Sequence, residues 1–214
     1  MTAPALAPFQ PSLFDVTDGG PTFDALTGGP RRRLLSDGAW VDLHPNWLRG
    51  ADHLMRNLTM AVPWRSERRM MYDRVVDVPR LANFYDSSTQ LPDPLLEQAI
   101  SRLNAHYGPV LGEPFATAGL CYYRDGSDSV AWHGDDLGRG ATEDTMVAIL
   151  SLGATRSLLL RPRAGGPSLR FPVGHGDLLV MGGSCQRTWE HCVPKSSRPT
   201  GPRISVQFRV QGVR

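Results

Sequence analysis

The chain has 214 residues and a formal net charge of +2, a length that suits one domain with extensions and a sizeable core. No apolar run reaches the roughly 20 residues of a membrane-spanning helix, and the N-terminus lacks the basic start and hydrophobic stretch of a secretory leader, so we expect a cytoplasmic protein with no membrane partner. Cys121, Cys185 and Cys192 lack zinc-ribbon spacing and suit a reducing compartment, and the charge alone does not imply nucleic acid, although 22 of the 23 basic residues are Arg, whose planar forks suit phosphate.

Residues 1–34 are rich in Pro, Gly, Thr and Ala without a sustained period and read as a flexible tail. Within it Phe9, Leu13 and Phe14 either tack the tail onto the domain or belong to a docking peptide. Gln10-Pro11-Ser12-Leu13-Phe14 resembles the short motif by which bacterial repair and replication proteins bind the sliding clamp. Residues 35–214 form the expected domain. Residues 34–43 read as a first strand, and Asn46 to Val62 as an amphipathic helix capped by Asn46, with Trp47, Leu48, Ala51, Leu54, Met55 and Leu58 on one stripe. His44 and His53 have no ligand-like neighbours and take structural roles.

From Pro63 to Arg80 arginines, among them Arg65, Arg68, Arg69 and Arg74, interleave with Met70, Met71, Tyr72 and three valines. That pattern fits a strand with one solvated face, or a nucleotide-gripping lid within residues 60–110. Asn83–Asp86 and Leu91–Pro94 read as loop, and Pro94–Tyr107 as a second helix. From Phe115 onward eight strands are predicted: Ala118–Arg124, Val130–His133, Thr145–Leu152, Ser157–Arg161, Ser168–Phe171, Asp177–Met181, Thr188–Val193 and Arg203–Val210. Helices first and antiparallel strands after make the class α+β, a jelly roll with N-terminal helices packed on it.

The strand that follows the Asp125-Gly126 turn ends in His133-Gly134-Asp135. Side chains two apart on a strand share a face, so His133 and Asp135 can offer an imidazole and a carboxylate to one metal ion. A third ligand has to come from elsewhere. His106 ends a helix and His175 sits in a turn, whereas His191 lies in a late strand that can return to the pair. Two His and one carboxylate leave open positions on the metal, which suits non-haem Fe(II) and O2, while Cys192 should point to the opposite face of its strand. In the last strand, Arg203 to Val210, even positions are apolar and odd positions polar. If the odd face lines a barrel, Arg203 and Arg209 call for an anionic guest, and together they suit one dicarboxylate.

The run Tyr123-Arg124-Asp125-Gly126 through Trp132-His133-Gly134-Asp135-Asp136 resembles the AlkB family of Fe(II)- and 2-oxoglutarate-dependent dioxygenases, DNA-repair branch above all. So do Ser151–Arg156, His175–Met181, Trp189–Lys195 and the Arg-x5-Arg ending. The resemblance covers about residues 60 to 212. It implies a double-stranded β-helix with Fe(II) held by His133, Asp135 and His191. It also implies 2-oxoglutarate paired with Arg203 at its distal carboxylate, with Arg209 near its metal end and Tyr123 and Ser205 beside it. The implied reaction consumes O2 and 2-oxoglutarate, hydroxylates the N-methyl group of 1-methyladenine or 3-methylcytosine, and releases formaldehyde, succinate and CO2.

DNA is the implied partner of a monomeric enzyme. Arg65, Arg68, Arg69, Arg161 and Arg163 are candidates for phosphate, and Tyr72, Tyr85 and Trp132 for the flipped base. Cys121 stands where the family usually has Asn, Ser205 and Gln207 where Asn and Thr are common, and Leu137 where repair members usually have an acid near the base. The rival readings are a 2-oxoglutarate hydroxylase acting on RNA, protein or a small molecule, and a non-catalytic lesion-binding module.

Overall fold

Strands that are apolar on both faces run through the middle of the fold. The computed structural model describes residues 20–28, 31–71, 74–136 and 138–213, and the side chains of residues 67–77 lie outside that description. The elements in chain order are β1 (Thr22–Phe23), β2 (Arg33–Leu34), β3 (Trp40–His44), β4 (Leu48–Arg49), α1 (Asp52–Ala61), β5 (Arg65–Met71), β6 (Arg74–Tyr85) and α2 (Pro94–Leu111). There follow β7 (Phe115–Tyr123), β8 (Val130–His133), β9 (Val147–Gly153), β10 (Arg156–Pro162), β11 (Leu169–Val173), β12 (Leu178–Gly182), α3 (Cys185–Thr188), β13 (Trp189–Val193) and β14 (Arg203–Val210).

Eight strands form a large sheet in the order β2-β3-β12-β9-β14-β7-β6-β5, and four form a smaller one, β11-β10-β13-β8. Alternation along the central strands feeds two cores. Ala148, Leu150, Leu152, Val206 and Phe208 face the helices, where Leu54, Leu58, Leu96 and Leu103 are fully buried against them. Val147, Ile149, Leu179 and Met181 face the other way and meet Leu158, Leu160 and Val193 of the small sheet. The α+β jelly roll with helices on its outer face is therefore as expected. Asp93 caps α2 by accepting the Leu95 N–H at 2.9 Å, and its other oxygen accepts from Asn57 of α1 at 3.0 Å, which ties the two helices together. Among the described residues no helix is long and apolar enough to cross a membrane.

All eight predicted strands from Phe115 onward form, within a few residues of their expected ends, but three expectations upstream are corrected. The helix predicted from Asn46 begins only at Asp52. Asn46 has φ +53 and donates its N–H to Asp177 Oδ1, and Leu48 is drawn into β4 opposite Phe23, so Trp47 enters the core from outside the helix. The tail does not run to residue 34, because Thr22–Phe23 pairs with Leu48–Arg49, Phe23 packs on Trp47 at 4.7 Å, and Leu26 is buried. Asn83–Tyr85 is strand rather than loop, because Leu81–Tyr85 pairs antiparallel with Ala118–Tyr122 of β7. The clamp-like peptide Gln10–Phe14, Tyr72 and Leu137 lie outside the described residues.

The turn before β8 is held from the side by Arg156, which is 5% exposed. Its guanidinium donates to the carbonyls of Asp125 at 2.9 Å, Asp128 at 2.8 Å and Pro194 at 2.7 Å. Replacing it by Met keeps the stem and strands three carbonyls. At roughly 1 kcal/mol or more per orphaned buried group, Arg156→Met should lower unfolding stability by about 3 kcal/mol in urea titrations. A loss under about 1 kcal/mol would show that water replaces the clamp.

Candidate metal centre

The pairing of β13 with β8 places His191 directly opposite His133. Their rings lie 4.2 Å apart between centroids. Asp135, two residues past His133, shares its face, and one donor atom from each of the three lies within 4.8 Å of the others. His133 Nδ1 is 2.8 Å from the Ala131 carbonyl, which can only accept, so Nδ1 carries the proton and Nε2 keeps its lone pair for a metal. Burial, with His133 adjacent, pushes His191 down to about 3, so it is a neutral donor. Burial alone would raise the Asp135 carboxyl, but the charge of the Arg209 guanidinium outweighs it and holds the group below its usual range.

Asp135 is fixed at both ends. Its backbone N–H donates to the buried Gln186 Oε1 at 3.0 Å, and its Oδ2 accepts from Arg209 Nε at 3.0 Å, with Nη2 in ion-pair contact at 2.9 Å. Gly134 faces outward between the ligands, where a Cβ would lie 2.5 Å from Arg163 Nη2 and 2.6 Å from the Gln186 carbonyl. This loop is packed from behind, so the three donors are preorganised.

A cavity of about 590 Å³ opens beside the triad between the two sheets. The odd face of β14, Arg203, Ser205, Gln207 and Arg209, forms its floor with Cys121 and Tyr123 of β7. Arg203 is 2% exposed. Its Nε donates to Ser151 Oγ at 2.9 Å and its guanidinium lies 5.2 Å from the Tyr123 ring, yet Nη1 finds no hydrogen-bond partner among the described residues. Arg203 lines the cavity, and a buried guanidinium with an unused donor is matched by a carboxylate. Burial pushes the Tyr123 phenol up to about 12, so it remains a hydroxyl donor on the same wall. Two imidazoles and a carboxylate beside an unsatisfied arginine thus fit Fe(II) and a 2-oxo dicarboxylate together.

The other expected site residues are divided. Ser205 lines the cavity, its Oγ accepting from Gln207 Nε2 at 2.6 Å. Arg209 lines it too, but its head is committed to Asp135 rather than joined with Arg203 in a clasp. Arg65 is exposed on β5. Trp132 faces away from the cavity, with the Arg161 guanidinium 4.3 Å above its ring, and Arg161 and Arg163 are paired with Glu190 and Asp136. Tyr85 turns into the helix-side core, because on β6 it shares a face with Leu81. Its neighbour Phe84, 39% exposed, lines the cavity instead. Phe84, Gln186 and Ser151 were missed in the sequence. Only Ser151 carries a signal there, as the lone hydroxyl in the apolar run Val147–Gly153.

The triad predicts metal-linked stability. Mn(II) at a hundred times its dissociation constant should stabilise the protein by about 2.7 kcal/mol, read as a rise in melting temperature. His133→Ala should abolish the rise; an unchanged rise would place the metal elsewhere.

The model of the 2OG-Fe(II) oxygenase superfamily matches residues 42–209. The human alpha-ketoglutarate-dependent dioxygenase alkB homolog 3 is 32% identical over 198 residues, covering 79% of this chain, and the chain spans 65% of the length of that relative. The mouse DNA oxidative demethylase ALKBH2 is 26% identical over 229 residues, covering 94% of this chain and 95% of that protein. A solved oxidoreductase of the 2OG-Fe(II) oxygenase family from Burkholderia pseudomallei shares the fold, with a TM-score of 0.55 at 14% identity over 81% of this chain and 86% of that one. With the triad, the buried arginine and the jelly roll already in place, these similarities make the chain a member of the 2OG-Fe(II) oxygenase superfamily, with AlkB homologues as its relatives.

Proposed function

We propose that this protein is an oxidative demethylase of N-methylated bases in DNA, of the 1-methyladenine and 3-methylcytosine type. The observation that carries the reading is the convergence on one cavity of the metal triad, the buried Arg203 and the partly exposed Phe84. The relative named as a DNA oxidative demethylase supports the substrate class.

His133 Nε2, His191 and Asp135 would hold Fe(II), and Arg203 with Tyr123 would receive the far carboxylate of 2-oxoglutarate. Bound there, the pair supplies activation of O2 and oxidation of the methyl carbon, with succinate, CO2 and formaldehyde as products. The chain's own work is positioning. Ile149, Leu158 and Val193 give the cavity dry walls, which strengthens the Arg203–carboxylate contact and keeps solvent from the reacting carbon. The partly exposed ring of Phe84 offers a stacking surface to a base taken out of the helix, and a methyl group that blocks pairing lowers the cost of that extrusion.

Incubation with Fe(II), 2-oxoglutarate and oligonucleotides carrying 1-methyladenine or 3-methylcytosine should release formaldehyde, and His133→Ala should release none. Succinate formation without formaldehyde from any methylated DNA would overturn the base-demethylase reading and favour another substrate. Phe84→Ala should weaken binding of a methylated oligonucleotide about tenfold, as expected for the loss of one base–aromatic stack; unchanged binding would remove Phe84 from the base site.

A further inference from the structure

The link between Arg209 and Asp135 runs across β7 at one residue. In the register of β14 with β7, Gln207 stands opposite Gly119 and Arg209 opposite Thr117. Gly119 shares the cavity face with Cys121 and Tyr123, and both long polar side chains of β14 lean over it. A Cβ at Gly119 would lie 2.7 Å from Arg209 Nη1 and 3.1 Å from Gln207 Oε1. The gap left by the missing side chain is therefore where the Arg209 head lies on its way to Asp135.

We propose that Gly119 is a positioning residue of the metal site. Its absent side chain lets the Arg209 guanidinium reach Asp135 and occupy Oδ2, which leaves Oδ1 as the oxygen directed to the metal. The physical argument is about what yields. A methyl group at position 119 meets the far end of a flexible side chain, so the fold can accept it by moving the guanidinium. The same movement breaks the hydrogen bond from Nε to Asp135 Oδ2 at 3.0 Å and the ion-pair contact of Nη2 with the same oxygen at 2.9 Å. Asp135 then gains freedom to swing or to present both oxygens to the metal, taking a coordination position that the cosubstrate needs. The substitution acts through Arg209 and has no effect of its own on the ligands.

This inference rests on the dioxygenase reading of the cavity, but its test uses no turnover, so failure of demethylation and failure of the Gly119 role are read separately. The probe is Co(II), whose visible absorption reports ligand geometry, added to purified wild type, G119A, R209Q and G119A/R209Q. Melting temperature is measured on the same samples. The expected result is that G119A folds with nearly the wild-type melting temperature and reproduces at least about half of the spectral change seen in R209Q, and that the double variant adds nothing to R209Q, the non-additivity of two residues acting through one contact. A G119A spectrum identical to wild type, or a double variant displaced well beyond R209Q, would overturn the proposal. If G119A melts early, R209Q should restore it by removing the group the methyl strikes; persistence of the defect in G119A/R209Q would equally overturn it.

Discussion

The buried guanidinium of Arg203 is the constraint around which the cavity is arranged. A cation at 2% exposure is costly to keep without a counterion. Here it has a serine hydroxyl on Nε and a tyrosine ring on its face, but Nη1 is left without a partner among the described residues. Burial lowers its pKa, which measures the same cost. A dicarboxylate at that point repays the burial, and the strand alternation that puts Arg203 on the floor also puts Arg209 beside the metal ligands. One strand thereby carries both the unsatisfied cation of the cavity floor and the brace on Asp135.

The rest of the site concerns rigidity. His133 and His191 are cross-strand partners, so their spacing is set by the backbone ladder rather than by loop conformation. Asp135, which follows the strand, lacks that support and receives it from Gln186, Arg209 and the packing of Arg163 over Gly134. Arg156 fixes the preceding turn through three carbonyls. Three arginines thus act on the ligand strand as structural clamps. The ion pairs of Arg161 and Arg163 with Glu190 and Asp136 give them partners within the protein and weaken their claim to phosphate.

What the sequence made legible were the features governed by short periods. Period-two alternation in Arg203–Val210 and the His-x-Asp spacing follow from strand geometry, and both lead to the observed faces. The third ligand needed only the judgement that a late strand returns to the pair. The features that were not legible depend on tertiary pairing. Asn46 has the composition of a cap, but its N–H is taken by Asp177, 131 positions away. Tyr85 and Phe84 exchange roles because a strand that reads as loop carries alternate residues to opposite faces. Gln186 binds the Asp135 amide from a one-turn helix with no pattern of its own.

The account stands most directly on whether the triad and Arg203 bind one molecule together. Equilibrium dialysis of 2-oxoglutarate against the Mn(II)-loaded protein should find one equivalent bound, lost when the metal is removed and lost again in Arg203→Met with metal present. Binding that survives either change undiminished would contradict a site in which the metal and the buried guanidinium hold opposite ends of the same dicarboxylate.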